Sequence, residues 1–340
     1  METNNTIRKR LGLSSENFMN LIMFGVLVVF FIIASIIVPT FFDVKGLLNI
    51  ISQQSYLIIV AIGVSFLLIT GHFDLSVGGI AGAAGVLVAY FSQAKSTGSS
   101  SEIANGLGMN FYLAIFLTLL ICVVIGAVNA YFIVKMKIAS VIVTLGTMYI
   151  SRGIAHVISQ GAQRNVGLPQ DFGILGKLRI FDLFSLPVLI MVIAVIIAFI
   201  IQKRTVFGRN LYYIGSNPIT AKLSGIKVEK HVATLYIVSA FLAGLAGIIL
   251  ASRFFSGRSM GAEGYEFDAL VVALLGGMSI TGAFGGVMNV LIGAFILGIL
   301  STVLNQMGLP PDIQIISKGV IITISILAQR WALNKYKKIL

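Results

Sequence analysis

The densest cluster of functional side chains in the 340-residue sequence is Gly71-His72-Phe73-Asp74-Leu75-Ser76-Val77-Gly78-Gly79, set between two apolar runs. Asp74 and Ser76 are both good helix N-caps, and an acid at a helix start is favoured by the helix dipole. The pair therefore reads as a cap at the head of the next segment, with a role in a substrate path or gate as the alternative. His72 offers a polar contact or a pH-sensitive gate beside such a path, against the plainer role of a satisfied packing group. A second Phe-Asp pair, Phe267-Asp268, opens the run Phe-Asp-Ala-Leu-Val-Val-Ala-Leu-Leu-Gly-Gly, which closes on Gly276 and Gly277. Lys318 is expected a few residues inside the last apolar run, near enough to its outer end to snorkel or to meet Asp312, Glu266 or Asp268. No catalytic chemistry is indicated. The sequence has no phosphate-binding Gly-x-x-x-x-Gly-Lys-Ser/Thr loop and no His-Glu-x-x-His. Its three histidines make a metal site an unfavoured reading, and Cys122 is the only cysteine. That excludes an intramolecular disulfide, and Cys122 reads as a packing residue in an apolar run.

Composition says what must position these residues. Hydrophobic residues make up 57% of the chain and charged residues 11%, with a mean hydropathy of +1.00. Soluble domains carry roughly 25% charged residues, so long uninterrupted apolar runs here mean an all-α polytopic membrane protein. In a soluble chain the net charge of +12 would suggest nucleic acid; here its placement follows membrane topology, and no nucleic-acid partner is expected. Ten segments approach the ~20 residues a bilayer needs, some of them short. They are Met19–Val38, Ile50–Thr70, Val77–Phe91, Phe111–Val134, Ser140–Ser159, Leu186–Ile201, Val232–Ala251, Phe267–Gly277, Val287–Leu304 and Ile313–Trp331. The first lacks a small-residue cleavage site and is expected to be a retained span.

Positive charge sets the orientation. With the N-terminus inside, the cytoplasmic parts hold Arg8, Lys9, Arg10, Lys135, Lys137, Lys203, Arg204, Arg209, Lys222, Lys227, Lys230, Arg330, Lys335, Lys337 and Lys338. The outer parts hold only Lys45, Lys95, Arg152, Arg164, Lys177, Arg179, Arg253 and Arg258. Both termini (1–18 and 332–340) are thus expected in the cytoplasm, with 202–231 a cytoplasmic loop and Ser92–Asn110 an outer one. The mixed-charge run Arg253–Asp268 is expected outside, as a docking edge or an ordinary polar loop.

An internal repeat is also visible. The Phe73-Asp74 and Phe267-Asp268 elements each open a short, glycine-interrupted segment, and spans two to five correspond to spans seven to ten. A shift of five spans inverts the second copy, and paired short segments in corresponding places point to a transport path. Inversion places the two Phe-Asp elements toward opposite ends of that path. Gly78, Gly79, Gly82 and Gly85 give the third segment a face nearly free of side chains, on which another helix can pack closely.

The stretch from Gln202 to His231 carries six cations and one acid, Glu229. Within it Asn217-Pro218 is a helix-start signal, and Ser224-Gly225 stops the short segment between them. The run Phe207-Gly208-Arg209-Asn210-Leu211-Tyr212-Tyr213-Ile214-Gly215-Ser216-Asn217-Pro218, continuing through Ala221 to Ser224, Gly225 and Ile226, resembles the coupling loop of ABC-type importer permeases of the ribose and monosaccharide class. Asp74-Leu75-Ser76-Val77-Gly78 is similar to a second hallmark of that family, and the likeness covers most of Ile50 to Arg330. His72 and Phe73 depart from it, since many members carry small or aliphatic residues there. The resemblance implies a single transmembrane permease domain over 1–340 in a bacterial cytoplasmic membrane, carrying a ribose-, xylose- or galactose-like sugar. It also implies a second permease subunit, an external solute-binding protein, and a separate ATP-binding subunit that meets Gly208, Arg209, Gly215, Ser216, Asn217, Pro218, Ala221, Ser224 and Gly225. ATP would be used by that partner, and no cofactor is expected on this chain. A secondary transporter with inverted repeats is the alternative.

Overall fold

A computed structural model describes residues 15–38, 44–95, 105–180, 184–310, 312–317, 319, 320 and 323. The expectations for Lys318, for most of the N-terminal arm and for the C-terminal tail lie outside the described residues. Apolar runs fold into helices here because hydrocarbon offers no partner for a free N–H or C=O, and a helix satisfies both within itself. In chain order the helices are α1 (Ser15–Ile37), α2 (Val44–Ile69), α3 (Val77–Ser92), α4 (Phe111–Ala130, prolonged by a π turn, Tyr131–Lys135) and α5 (Ser140–Ser159). There follow α6 (Ile174–Lys177), α7 (Leu186–Arg204), α8 (Val206–Ser216), α9 (Pro218–Leu223), α10 (Val228–Phe254), α11 (Tyr265–Leu275) and α12 (Val287–Gln306). A two-stranded antiparallel ribbon, β1 (Arg179–Ile180) with β2 (Phe184–Ser185), precedes α7. Among the described residues six helices are long and apolar enough to cross a membrane, and α1 and α3 contribute shorter apolar stretches. The chain is a polytopic helical membrane protein.

Two helices form the centre. Of their membrane-spanning windows, 78% of α2 and 67% of α10 are buried, against 28% for α4 and α7 and 22% for α5. The outer helices therefore turn apolar faces such as Phe116, Val124, Tyr149 and Ile196 outward. The helix α10 packs on α2, α3 and α4, while α2 packs on α10, α11 and α12.

The glycines of α3 do not serve one helix, as the sequence suggested. A Cβ on Gly79 would lie 2.5 Å from the Met148 carbonyl of α5, and one on Gly85 3.3 Å from the Gly247 carbonyl of α10. On Gly82 it would lie 2.6 Å from the Ser259 carbonyl, and on Gly78 it would overlap the Glu266 carboxylate. The chain after α10 thus runs back along α3, with Gly257 against Ala89, then Ser259, then Ala262, and α11 begins beside the first turn of α3. This corrects two expectations. Much of the Arg253–Asp268 run is packed into the protein, with Ser256, Ala262 and Glu266 buried. Arg152, counted with the outer charges, lies within α5 and pairs with Glu266 at 2.7 Å. A run of mixed polarity reads as solvated because its partner, a glycine-lined helix, is distant in sequence.

Candidate functional site

Three arrangements surround the residues singled out by sequence. The first is built on the break between α2 and α3. Asp74 is wholly buried. Its Oδ1 accepts from the Ser76 backbone N–H (2.9 Å) and hydroxyl (2.5 Å), and its Oδ2 from the Ser239 hydroxyl of α10 (2.7 Å). Ser76 occupies the N-cap position of α3 but its side chain makes no capping bond; Asp74 takes over the local donor instead. Asn129 of α4 donates to the Ser76 hydroxyl (3.1 Å), and Thr147 of α5 donates to Asn129 Oδ1 (2.5 Å). One network therefore ties the break to α4, α5 and α10. Tyr236 of α10 donates to the Phe73 carbonyl (3.0 Å) and meets the His72 ring edge-on. His72 Nδ1 lies 3.1 Å from the Thr70 carbonyl and 3.2 Å from its hydroxyl.

The second arrangement is a cavity of about 150 Å³ lined by Leu68, Phe73, Phe267, Leu270, Val271, Leu274 and Ile280. Every lining side chain is apolar. Phe73 and Phe267, expected at opposite ends of a path, line this one space; Asp74 turns away into its network, and Asp268 is half-buried outside the lining. Such walls offer a polar solute no fixed hydrogen-bond partner, which suits passage better than tight binding. Beyond the cavity Gly276 and Gly277 end α11. A Cβ on Gly276 would lie 1.8 Å from the Asn289 carbonyl, and Asn289 donates to the Gly276 carbonyl at 2.6 Å.

The third is the helix pair α8–α9. Thr205 caps α8 by accepting from the Gly208 N–H (3.1 Å), and Asn217 caps α9 by accepting from Ile219 and Thr220 (3.0 Å each). Pro218 fills the first turn, where a missing N–H costs nothing. Gly225 closes the segment at φ +84°, a left-handed conformation that favours glycine. Gly208 and Ala221 are buried; Arg209, Ser216, Asn217, Pro218, Ser224 and Gly225 are exposed. Phe207 stacks on His231 at 4.9 Å, which seats α8 against the start of α10. Gly215 rests on the end of α2: a Cβ there would lie 1.9 Å from the Ile69 carbonyl. On the other side α9 presents Ile219, 72% exposed, and Leu223, 84% exposed. Two apolar side chains on a capped helix thus form an exposed apolar knob.

Residues 46–326 match a protein family described as branched-chain amino acid transport system / permease component. The chain belongs to this permease family. It is 32% identical over 310 residues to the ribose import permease protein of Haemophilus influenzae, covering 91% of this chain and 92% of that one. Against the L-arabinose transport system permease protein of Escherichia coli identity is 35% over 315 residues, 91% of this chain and 90% of the relative. The galactose/methyl galactoside import permease protein of Escherichia coli is 32% identical over 316 residues, with 89% and 92% covered. No solved structure matches the chain significantly.

Several residues that build the permease's interior were not legible as a group. Asn129, Thr147, Ser239 and Tyr236 surround the Asp74 break, Arg152 pairs with Glu266, and Gln202 and Tyr212 join α8 to the Gly285 carbonyl (Tyr212 donating at 2.7 Å). The available signal was a polar side chain inside an apolar run, which in a membrane protein is expensive unless partnered.

Proposed function

We propose that the chain is the membrane-spanning subunit of an ATP-driven importer that carries a monosaccharide, ribose-, xylose- or galactose-like, across a bacterial cytoplasmic membrane. Full-length similarity to permeases named for ribose, L-arabinose and galactose supports the sugar class. The observation that carries the mechanism is the exposed, doubly capped α9 with its Ile219–Leu223 knob. In this reading a separate ATP-binding subunit seats α9, a solute-binding protein delivers sugar outside, and a second permease subunit completes the path. Both termini are cytoplasmic, on the charge distribution.

The ten-span, inverted-repeat architecture belongs to the same proposal. It is supported by the reciprocal packing of α2 on α11 and α12 and of α10 on α3 and α4, and by the two short helices α3 and α11, of 16 and 11 residues, that meet at their first turns. ATP-driven closure of the partner pushes on α9 and rocks the halves between outward- and inward-facing states. The apolar cavity leaves selectivity to the binding protein.

The test is copurification. The chain co-expressed with its ATPase should elute as a complex, and Leu223→Arg should release the ATPase while the permease remains inserted. Ala221 is a poorer probe, because it is buried and a large charge there disrupts α9 itself. An ion-coupled transporter would elute without an ATPase and take up sugar on an ion gradient.

A further inference from the structure

We infer that Gln202 and Tyr212 are positioning residues that carry motion of α8–α9 to the wall of the apolar cavity. The inference rests on the reading of α9 as the ATPase-facing helix and specifies what that helix pulls. Gln202, two residues before the end of α7, is 3% exposed. Its Oε1 accepts from the Val287 N–H (2.9 Å), the first residue of α12, and its Nε2 donates to the Tyr212 hydroxyl (2.5 Å). Tyr212 in turn donates to the Gly285 carbonyl (2.7 Å). The four groups close a ring that ties α7, α8 and the segment 276–286 to one another.

Gly286 sits close against this amide: a Cβ there would lie 1.8 Å from Gln202 Nε2. One turn along the same face of α8, Gly215 is pressed on the Ile69 carbonyl, which itself accepts from the Ala283 N–H (2.8 Å). Tyr212 and Gly215 thus fix α8 to 276–286 at two points. Displacing α8 without this segment strands buried donors and acceptors, which is costly, whereas moving them together strands none. The segment leads into α11 on one side and α12 on the other, and its own Ile280 lines the cavity with Phe267 and Leu274 of α11. Its neighbour Ile69 ends α2, whose Leu68 also lines the cavity. A push on α9 therefore reaches the cavity through two of the elements that line it.

The experiment uses the full permease with its ATPase and binding protein in proteoliposomes. Ribose, L-arabinose and galactose are offered, and sugar accumulated per ATP hydrolysed is measured for wild type, Tyr212→Phe, Gln202→Leu and Leu223→Arg, with thermal stability of each. Tyr212→Phe and Gln202→Leu should retain the ATPase and lower the ratio about fivefold or more, the factor carried by one lost neutral hydrogen bond. A purely structural role lowers folded amount, hydrolysis and uptake together and leaves the ratio unmoved; that result overturns the relay. An unchanged ratio in both variants, with the ATPase released by Leu223→Arg, overturns the relay alone. Retention of the ATPase by Leu223→Arg overturns the docking reading beneath it.

Discussion

Replacing Asp74 separates a residue that holds the α2–α3 break together from one that works as a gate charge. Its carboxylate accepts three hydrogen bonds in a site with no exposure. Asp74→Ala strands all three donors, each at about 1–3 kcal/mol if nothing replaces the acceptor. Two of the donors are hydroxyls that can turn elsewhere. Ser76 keeps its bond from Asn129, and a serine within a helix can bond a carbonyl one turn back, as Ser239 would. The Ser76 N–H has no such freedom, so the net loss is about 2–4 kcal/mol. Asp74→Asn keeps Oδ1 for both Ser76 donors and presents an amide to Ser239, whose hydroxyl then accepts; its cost is under about 1.5 kcal/mol. The assay is recovery of monodisperse permease after graded heating in detergent, with uptake normalised to folded protein. Alanine should lose most of its folded protein at temperatures where asparagine matches wild type, and asparagine should transport near normally. Asparagine that folds normally yet fails to transport would make Asp74 a gate charge. Alanine as heat-stable as wild type would refute the network argument.

Other perturbations read other contacts. Gly215→Ala should be poorly tolerated, because its Cβ would meet the Ile69 carbonyl backbone at 1.9 Å, whereas Gly225→Ala meets open space and should cost only the roughly 1–2 kcal/mol of a left-handed alanine; heating curves of the two variants check the order. Arg152→Ala leaves the buried Glu266 carboxylate unpaired and should cost about 3–5 kcal/mol, while the double variant Arg152→Met with Glu266→Leu should recover much of that loss, read as yield of folded permease. In a Cys122→Ala background, single cysteines at Ser216 and Asn105 should react with an impermeant thiol reagent from opposite sides of the membrane; labelling of both from outside would overturn the orientation drawn from the charges.

The helices were legible because the bilayer imposes one length and one composition on them. Ser140–Ser159 is a helix with the same bounds as its apolar run, and α9 starts and stops where Asn217-Pro218 and Gly225 direct. Helices that outrun their apolar cores were underestimated: α2 begins at Val44 rather than Ile50, and α10 runs from Val228 to Phe254, since a helix continues through polar turns that reach water. The packing of the chain from Phe255 to Gly264 was not legible, because its packing surface is the glycine face of α3, far away in sequence. Asp74 was visible as a capping residue, but its burial was not. Its partner Ser239 and the bridging Asn129 come from other helices, and no local pattern announces a hydrogen bond across 165 residues.

The most direct measurement of the central claim is sugar accumulation by proteoliposomes containing the permease, its ATPase and its binding protein, with ATP either enclosed or omitted and no ion gradient imposed. Ribose, L-arabinose and galactose are each supplied with the binding protein. At least one should accumulate against its gradient only when ATP is enclosed, and Leu223→Arg should abolish that accumulation. Accumulation that ignores ATP and follows an imposed proton or sodium gradient would contradict the account.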